Sequence, residues 1–421
     1  MLPRLHAHRR RRPHARGSPT AERRSRRLKH LLAGNVLWLS IISLLNDAAS
    51  EMIYPLLPLF IVGTLGAGPA VLGLIEGVAE TTSSLIKLLG GWLSDRFHRR
   101  KPLVVGGYGA AAIARPLIAA ATAPWHVLAI RFADRVGKGV RTAPRDALLA
   151  ESVPAARRGT AFGVHRAADH AGAVIGPLLA SAFLLLYPGQ LRPLFAVALV
   201  PGLIAVGIAV WKVREVSDVT ADHAAPSPAP APAPAPAPGF SRFLFVLVIF
   251  TLGNASDAFL LLRAQQLGVA TALIPLLWAA LHVSKMAFNV VGGALSDRIG
   301  ARPVIIGGWC VYALVYLGFA TADQAWMAWV LFLVYGLYYG MTEAPEKALV
   351  AAFAPAGRRA TRFGAYHMAV GLAALPASLI FGVLWQWAGA AAAFGFGAVL
   401  AFLAAAFLTL LVPAPPRPAF A

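Results

Sequence analysis

The sequence predicts an all-α membrane protein with twelve transmembrane helices, arranged as two six-helix pseudo-symmetric bundles. Of its 421 residues, 58% are hydrophobic and only 13% are charged, whereas a soluble domain carries about 25% charged residues. Apolar runs of about twenty residues, enough to cross a hydrocarbon core of about 30 Å, recur between residues 35 and 412. In addition, the second half of the chain repeats motifs of the first.

The predicted spans follow from these runs and from the turns between them. Several spans contain charged residues, notably the second, fourth and fifth, so their assignment depends also on the regular spacing of the turns. The predicted ranges are 35–63, 70–93, 103–122, 125–151, 159–186, 191–211, 243–263, 271–295, 303–321, 326–352, 362–387 and 390–412.

Three segments lie outside the predicted bundles 35–212 and 241–412. Residues 1–34 form a basic tail, with ten Arg and one Lys against one Glu in the first thirty residues. We expect a disordered cytoplasmic anchor, although lipid headgroup binding, nucleic-acid binding and an untranslated tail stay open. Residues 213–240 form an Ala/Pro-rich linker, in which alternating prolines favour an extended polyproline II conformation. Residues 413–421 form a cytoplasmic C-terminal tail.

The positive charges of the loops predict the orientation. Beyond the tail, fifteen Lys and Arg residues lie in the loops and helix ends on one side of the predicted membrane, against Arg192 and Arg263 on the other. Because positively charged short loops stay in the cytoplasm, this bias places both termini inside. The composition, with 31 Arg against 7 Lys, favours a bacterial source and therefore the cytoplasmic (inner) membrane.

Three pairs of motifs show an internal duplication. GGWLSDR at 90–96 recurs as GGALSDR at 292–298, APRDAL at 143–148 as APEKAL at 344–349, and RRGTAFG at 157–163 as RRATRFG at 358–364. The offsets are 202, 201 and 201 residues, so the pairs occupy matching places in two six-helix units. Such a duplication is typical of secondary transporters, whose solute site lies between the repeats near the membrane midplane.

With these motifs the sequence resembles the major facilitator superfamily over about residues 35–412. GGWLSDRFHRRKP at 90–102 is similar to the family's loop signature G-x-L-a-D-r-x-G-r-k, with a departure at His98, and GGALSDRIGARP is a second copy. In the family this loop is a conformational latch between two helix ends, and we expect Gly91 and Gly293 to permit close helix approach. The resemblance assigns that role to Gly91, Asp95, Arg96, Arg99, Arg100, Gly293, Asp297, Arg298 and Arg302.

A shorter resemblance lies in the fifth span. GAVIGP is similar to the G-x-x-x-G-P motif of family antiporters and contains Gly172, Gly176 and Pro177. Small residues four positions apart allow two helices to pack closely, and proline kinks a helix. The motif favours export, although ordinary helix packing is an open alternative.

The fourth span carries charged residues at spacings that keep them broadly on one stripe, and a charge facing lipid costs about 3 kcal/mol. We therefore expect the stripe to face a central cavity. Arg131 with the following glycines resembles the R-x-x-q-G-x-g pattern, in which the arginine is linked to proton transfer. A carboxylate near the midplane can bind and release a proton as access alternates. The candidates for proton coupling are Asp47, Glu80, Arg131, Asp134 and Asp257.

Other polar residues of the spans are candidates for contact with a solute, the basic ones with an anionic or zwitterionic part of it. Permanent salt bridges that hold the bundle together are the alternative for each one. The candidates are Glu51, Glu76, Lys87, Arg135, Lys138, His165, Arg166, Asp169, His282, Lys285, Tyr335, Tyr339, Glu343 and Glu346.

These patterns predict a secondary transporter, proton-coupled, that moves a small organic solute by alternating access, with export favoured. Proton-coupled uptake of an organic anion is the alternative, and a non-transporting sensor or scaffold is a third hypothesis. We expect no enzyme activity, because no catalytic or ATP-binding motif is present. Cys310 is the only cysteine, so neither a disulfide framework nor a cysteine metal site is expected. We further expect no cofactor, no nucleic-acid partner and a functional monomer in the lipid bilayer.

Overall fold

In the computed structural model of the chain, the described residues are 34–97, 99–153, 158–215, 238–353 and 359–413. Within these ranges the secondary structure is helical, with no strand. The predicted N-terminal tail up to residue 33, residues 216–237 of the predicted linker and residues 414–421 lie outside them.

The N-terminal half contains seven labelled helices. The first continues through short helical turns to Thr64, and the third through a 3-10 helix over Arg115–Ala120. The bounds are α1 Asn35–Ile53, α2 Pro69–Phe97, α3 Lys101–Ala114, α4 Pro124–Glu151, α5 Arg158–Leu186, α6 Leu191–Val197 and α7 Leu199–Lys212.

The C-terminal half contains six labelled helices. The last is interrupted at Gly389, whose φ of 86° and ψ of 168° are not helical, so it consists of two helices joined at a glycine. The bounds are α8 Pro238–Gly253, α9 Ala258–Gln266, α10 Ile274–Ile299, α11 Ala301–Thr321, α12 Ala325–Ala352 and α13 Arg359–Leu411.

Among the described residues, nine helical segments are long and apolar enough to cross a membrane. The charged helices α2 and α4 have 29 and 28 residues but are not among the nine. The segment from Arg362 to Leu411 counts once although Gly389 divides it. The all-helical membrane fold is therefore confirmed, while the number of twelve crossings stays a prediction.

The seventh predicted span is not the continuous helix expected over 243–263. Helix α8 ends at Gly253 and α9 begins at Ala258, with residues 254–257 between them. Gly, Asn, Ser and Asp all disfavour a helix interior, because glycine is flexible and the short polar side chains compete for backbone hydrogen bonds. The freed polar groups find partners in the neighbouring helices: the Tyr312 hydroxyl donates to the Gly253 carbonyl oxygen at 2.9 Å, and Asn254 Nδ2 donates to the Tyr338 hydroxyl at 3.1 Å.

The helices pack in matching patterns within the two halves. In the N-terminal half α1 packs on α5 and α4 on α2 and α3; in the C-terminal half α8 packs on α13 and α12 on α10 and α11. The halves meet along α2 with α13 and along α5 with α10. Close approach between halves is possible because Gly73 and Gly77 lie against the backbone of Ser378 and Leu375.

Glycines at equivalent places bring the helices together inside each half. A Cβ added at Gly90 would lie 2.7 Å from the carbonyl oxygen of Gly139, and one added at Gly292 would collide with that of Gly340. We predicted close packing at Gly293, but a Cβ there would have no neighbour within 4 Å. The prediction was wrong by one residue, because each step along a helix turns the side chain by about 100°.

The predicted small-residue motif of α5 does pack as expected. A Cβ added at Gly172 would collide with the carbonyl oxygen of Leu44, and one at Gly176 with that of Ala48, both in α1. Pro177 is buried inside α5. The motif therefore sets the distance between α5 and α1.

Candidate functional site

A cavity of about 560 Å³ lies between the two halves. Its size falls in the range of sites for small organic molecules, about 300–1,000 Å³. The residues around it are Asp47, Ser50, Glu51, Tyr54, Glu76, Glu80, Arg115, Arg135, Lys138, Arg141, Thr251, Asn254, Ala255, Ser256, Asp257, Trp278, Lys285, Tyr339, Val370, Ala374 and Ser378. Both halves therefore contribute charged and aromatic side chains to one site.

Two buried ion pairs border the cavity on its N-terminal wall. Arg115 Nε lies 2.7 Å from Asp134 Oδ1, and Arg115 Nη1 also donates to the backbone and side-chain oxygens of Asn46, each at 3.0 Å. Arg131 Nη2 donates to both oxygens of Glu76, at 2.8 and 3.0 Å. Because each buried charge has a partner, these pairs fix the geometry of the wall.

The same wall carries three further cations on α4, which differ in their partners. Arg141 donates to the Gly107 carbonyl oxygen at 3.3 Å and lies 4.4 Å above the centre of the Tyr108 ring. Among the described residues, Arg135 and Lys138 have no carboxylate oxygen within 4.0 Å of a side-chain nitrogen. Two cations of this wall therefore face the cavity without an ion-pair partner in the described part of the chain.

The C-terminal wall is built around Asp257, at the end of the break between α8 and α9. Its two carboxylate oxygens accept hydrogen bonds from the hydroxyls of Tyr335 and Tyr339, at 2.8 and 2.7 Å. Lys285 Nζ lies 3.9 Å from Asp257 Oδ2 and 3.3 Å from the centre of the Tyr339 ring. The negative charge of Asp257 is thus held mainly by neutral donors, and the lysine is shared between a carboxylate and an aromatic ring.

Hydrogen bonds connect the two walls across the cavity. Trp278 Nε1 donates to Glu51 Oε2 at 2.8 Å, and its ring lies 5.2 Å from that of Tyr54. The Ser256 hydroxyl donates to Glu76 Oε2 at 3.3 Å. Further bonds between the halves, from Ala70 N to Gln386 and from the Ser181 hydroxyl to Ala272 O, lie toward the end of the molecule away from the termini. The halves are therefore closed against each other at that end.

Glu346 is a second buried carboxylate of the C-terminal half that has neutral partners, and it lies outside the cavity lining. It is 8% exposed. The Tyr366 hydroxyl donates to Oε2 at 2.8 Å, and Trp309 Nε1 donates to Oε1 at 3.3 Å. Its surroundings therefore resemble those of Asp257 rather than those of Glu76 and Asp134.

The structure brings together some of the predicted site residues. Those that line the cavity are Asp47, Glu51, Glu76, Glu80, Arg135, Lys138, Asp257, Lys285 and Tyr339. Arg131 and Asp134 lie behind this lining in their ion pairs. The predicted residues outside the lining are Lys87, His165, Arg166, Asp169, His282, Tyr335, Glu343 and Glu346.

Several of the residues outside the lining have local partners that account for their positions. Asp169 accepts from the Ser43 hydroxyl, lies 3.5 Å from Arg166 Nη1 and lies 3.7 Å from His165 Nε2. Glu343 pairs with Lys347 at 3.3 Å on an exposed surface. We predicted these residues as candidates for contact with a solute, but a polar residue within a span can equally serve a local polar contact outside the cavity.

Arg115, Trp278 and Ser256 are among the lining residues that sequence reasoning missed. Arg115 was hidden in an apolar run, although a lone arginine before a proline inside a predicted span was a usable signal. Trp278 and Ser256 gave no such signal, because their bonds to Glu51 and Glu76 depend on the contact between halves. No group of three or more potential metal ligands occurs among the residues that the structure describes.

The predicted latch is described only in part. The side chains of Asp95 and Arg96 and the surroundings of Gly91 lie outside the described part of the chain, while Asp297 and Arg298 are exposed.

At the same end of the molecule, helix ends are joined by other contacts. Arg100 pairs with Glu151 at the end of α4. The backbone N–H groups of Arg100 and Lys101 donate to the two carboxylate oxygens of Glu215, each at 2.9 Å. In the second copy, Arg302 donates to the carbonyl oxygens of Leu408 and Thr409 at the end of α13. Charged residues of both copies therefore join helix ends.

Comparisons with known proteins agree with this architecture. The family model described as Major Facilitator Superfamily matches residues 39–281 and 239–421. An uncharacterised MFS-type transporter of Methanocaldococcus jannaschii is 33% identical over 390 residues, covering 90% of this chain and 95% of that protein. Multidrug resistance protein MdtH of Photorhabdus laumondii is 32% identical over 139 residues, which is 33% of this chain and 34% of MdtH.

The fold itself matches a solved transporter. A crystal structure of nucleoside transporter NupG superimposes with a TM-score of 0.74 at 14% identity, covering 90% of this chain and 100% of that one. At this identity the likeness concerns the fold. Together with the family match along both halves, these findings identify the chain as a multi-pass membrane transporter, not an enzyme, and as a member of the major facilitator superfamily.

Proposed function

We propose that this protein is a proton-coupled secondary transporter that exports a small organic solute by alternating access. The observation that carries the proposal is the cavity between the halves, lined by acids and bases of both and closed at the end away from the termini. With both termini in the cytoplasm, as the loop charges predict, the closed end faces the outer side of a bacterial inner membrane. A single chain contains the whole cavity, so a monomer suffices.

Asp257 is the carboxylate that we assign to proton coupling. Protonating Asp134 or Glu76 would leave Arg115 or Arg131 as an unpaired buried cation, which is costly. Protonating Asp257 leaves the hydroxyls of Tyr335 and Tyr339 free to rotate to other acceptors, and Lys285 keeps its contact with the Tyr339 ring. Because Asp257 lies in the helix break, its charge can also influence the angle between α8 and α9.

Export is supported by the partial similarity to a multidrug resistance protein and by the resemblance of GAVIGP in α5 to the motif of family antiporters. A second candidate is proton-coupled uptake of an organic anion. The observation that favours it is the presence of Arg135 and Lys138 on the cavity wall without an ion-pair partner among the described residues. The two candidates differ in the direction in which protons move when solute is added.

The test is a flux assay with the purified protein in liposomes that carry a lumenal pH dye and an imposed pH gradient. A panel of organic acids, amines and neutral solutes is added outside. We expect at least one solute to accelerate proton movement, and the sign of that movement distinguishes antiport from symport.

The test variant is Asp257→Asn, and its control is Glu343→Gln. Asp257→Asn is isosteric and should reduce solute-dependent proton flux by at least tenfold while leaving assembly intact. Glu343→Gln changes an exposed carboxylate outside the cavity lining and should keep wild-type flux. Solute transport without any proton movement, or full coupling in Asp257→Asn, would contradict the proposal.

A further inference from the structure

We infer that the transported solute carries a carboxylate or phosphate group, which binds between Arg135 and Lys138 of α4. This inference rests on the proposed transport function and names the chemical class of its solute. It applies to either direction of transport.

Arg135 is the first observation. Its side chain borders the cavity, only 9% of the residue is exposed, and Nε is buried without a hydrogen-bond partner. A buried guanidinium that lacks partners is costly, because the charge has left water without compensation. In the described part of the chain no carboxylate lies within 4.0 Å of it. We therefore expect the carboxylate or phosphate group of a bound solute to supply the missing hydrogen-bond acceptor.

The neighbouring arginines of this wall have hydrogen-bond partners within the protein. Arg131 holds both oxygens of Glu76, and Arg115 holds Asp134 and Asn46. Arg141, six residues after Arg135 on α4, donates to the Gly107 carbonyl oxygen and lies above the Tyr108 ring. Arg135 differs from Arg131 and Arg115 in its charge partners, since in the described part of the chain no carboxylate oxygen lies within 4.0 Å of its side-chain nitrogens.

Lys138 is the second observation. It lies three residues after Arg135 on α4 and borders the same cavity. Side chains three apart on a helix are neighbours, about 5–6 Å between Cβ atoms. A guanidinium fork beside a mobile ammonium matches the geometry of a carboxylate or phosphate, which accepts several charged hydrogen bonds at once.

The carboxylates that border the cavity affect the net charge of the site to which such a solute binds. Asp47 and Glu51 accept hydrogen bonds from Asn46 Nδ2 and Trp278 Nε1, and neither lies within 4.0 Å of a described cation. Glu80 also borders the cavity. These carboxylates offset the positive charge of Arg135 and Lys138 at a distance, so an anion entering the site is accompanied favourably by a proton.

Aromatic residues of both walls indicate what the rest of the solute resembles. Tyr54, Trp278 and Tyr339 border the cavity and present aromatic surface to it. Aromatic rings contribute apolar contact area with a few directed polar groups. The solute class that fits both walls is a small amphipathic organic acid or phosphate monoester with an apolar or aromatic body.

The experiment measures binding in detergent, without a gradient. Purified protein is heated in the presence of benzoate, phenylacetate, phenyl phosphate or indole-3-acetate, and each carboxylate is matched by its neutral amide and its amine. We expect the acids to raise the unfolding temperature in a saturable manner, with apparent affinities at least tenfold higher than those of the amides and amines. Arg135→Gln and Lys138→Gln should each weaken acid binding by at least tenfold.

Two variants serve as controls. Arg135→Lys keeps the charge and should retain part of the affinity, which separates loss of the anion site from loss of folding. Arg145→Gln removes a cation of the same helix that pairs with Asp146 outside the cavity lining, and acid binding should be unchanged. Failure of every acid to bind, equal binding of the amides, or undiminished binding in Arg135→Gln would overturn the inference.

The outcome is distinguishable from failure of the proposed function. Acid binding without proton-coupled flux in liposomes would refute the transport proposal and leave the anion site in place. Proton-coupled flux of a neutral or cationic solute, with no acid binding, would support transport and refute the anion site.

Discussion

The two halves share their helix packing but differ in the partners of four acids. In the N-terminal half Asp134 and Glu76 are tied to arginines, whereas in the C-terminal half Asp257 and Glu346 accept hydrogen bonds from tyrosine and tryptophan, with Lys285 Nζ 3.9 Å from Asp257. The difference is visible at equivalent positions of α4 and α12, since Tyr335 lies 201 residues after Asp134 and Tyr339 lies 201 residues after Lys138.

This difference divides the chemistry between the halves. An arginine partner fixes a carboxylate in its charged form, because neutralising the acid strands a cation in a site of low polarity. Neutral donors impose no such condition, so the acid can change its protonation state at lower cost. In the proposed function, the duplicated fold combines a wall of fixed charge with a wall suited to proton exchange.

The largest expected effect tests the fixed wall. Arg115→Met leaves Asp134 buried without its cation and should lower the free energy of unfolding by about 3–5 kcal/mol. The measurement is unfolding in detergent followed by circular dichroism. The double variant Arg115→Met/Asp134→Leu removes both charges and should recover most of the loss. A double variant as unstable as the single one would show that the pair is not what stabilises this wall.

A smaller effect tests the likeness of the halves in packing. Gly90→Ala and Gly292→Ala each place a methyl group against a facing backbone carbonyl, and each should cost about 1–3 kcal/mol by overpacking. The same unfolding assay measures both. Gly293→Ala, one residue away and facing open space, is the matched control and should be nearly neutral. A negligible cost at either of the two equivalent glycines would break the symmetry argued from the contacts.

The smallest effect tests a buried acid of the C-terminal half, whose hydrogen-bond partners are neutral. Glu346→Gln keeps one oxygen acceptor for Tyr366 or Trp309 and strands no cation, so it should change stability by about 1 kcal/mol. Asp134→Asn is the matched comparison in the other half. It leaves Arg115 as an unpaired buried cation and should therefore lower the free energy of unfolding about as much as Arg115→Met does. If the two neutral replacements destabilise the protein equally, the proposed division between halves is wrong.

Much of the fold was predictable, because membrane spans and duplicated motifs leave signals in composition and spacing. Helix bounds such as Pro124–Glu151 and Arg158–Leu186 lie within a residue or so of the predicted 125–151 and 159–186. The break after Gly253 was missed because an apolar average conceals four residues that disfavour a helix. Recognising Gly253, Asn254, Ser256 and Asp257 as residues that disfavour a helix would have revealed it.

The site was predictable only as a set of polar side chains. Helical phase placed Arg135 and Lys138 on a polar stripe, but it did not tell their free state from the paired state of Arg131. That distinction depends on Glu76, which α2 brings against Arg131. Ion pairing is a property of the assembled bundle, and one helix does not contain it.

The bond between Trp278 and Glu51 has an optical consequence. The indole joins the two halves through Nε1, while its ring packs against Tyr54 and lies 4% exposed. A rotation that separates α1 from α10 breaks this hydrogen bond and exposes the indole ring to water in the cavity. Exposure to water shifts the fluorescence emission of the indole to longer wavelength. The native chain thus contains its own fluorescent reporter of which conformation the halves adopt, and Trp278→Phe supplies the blank.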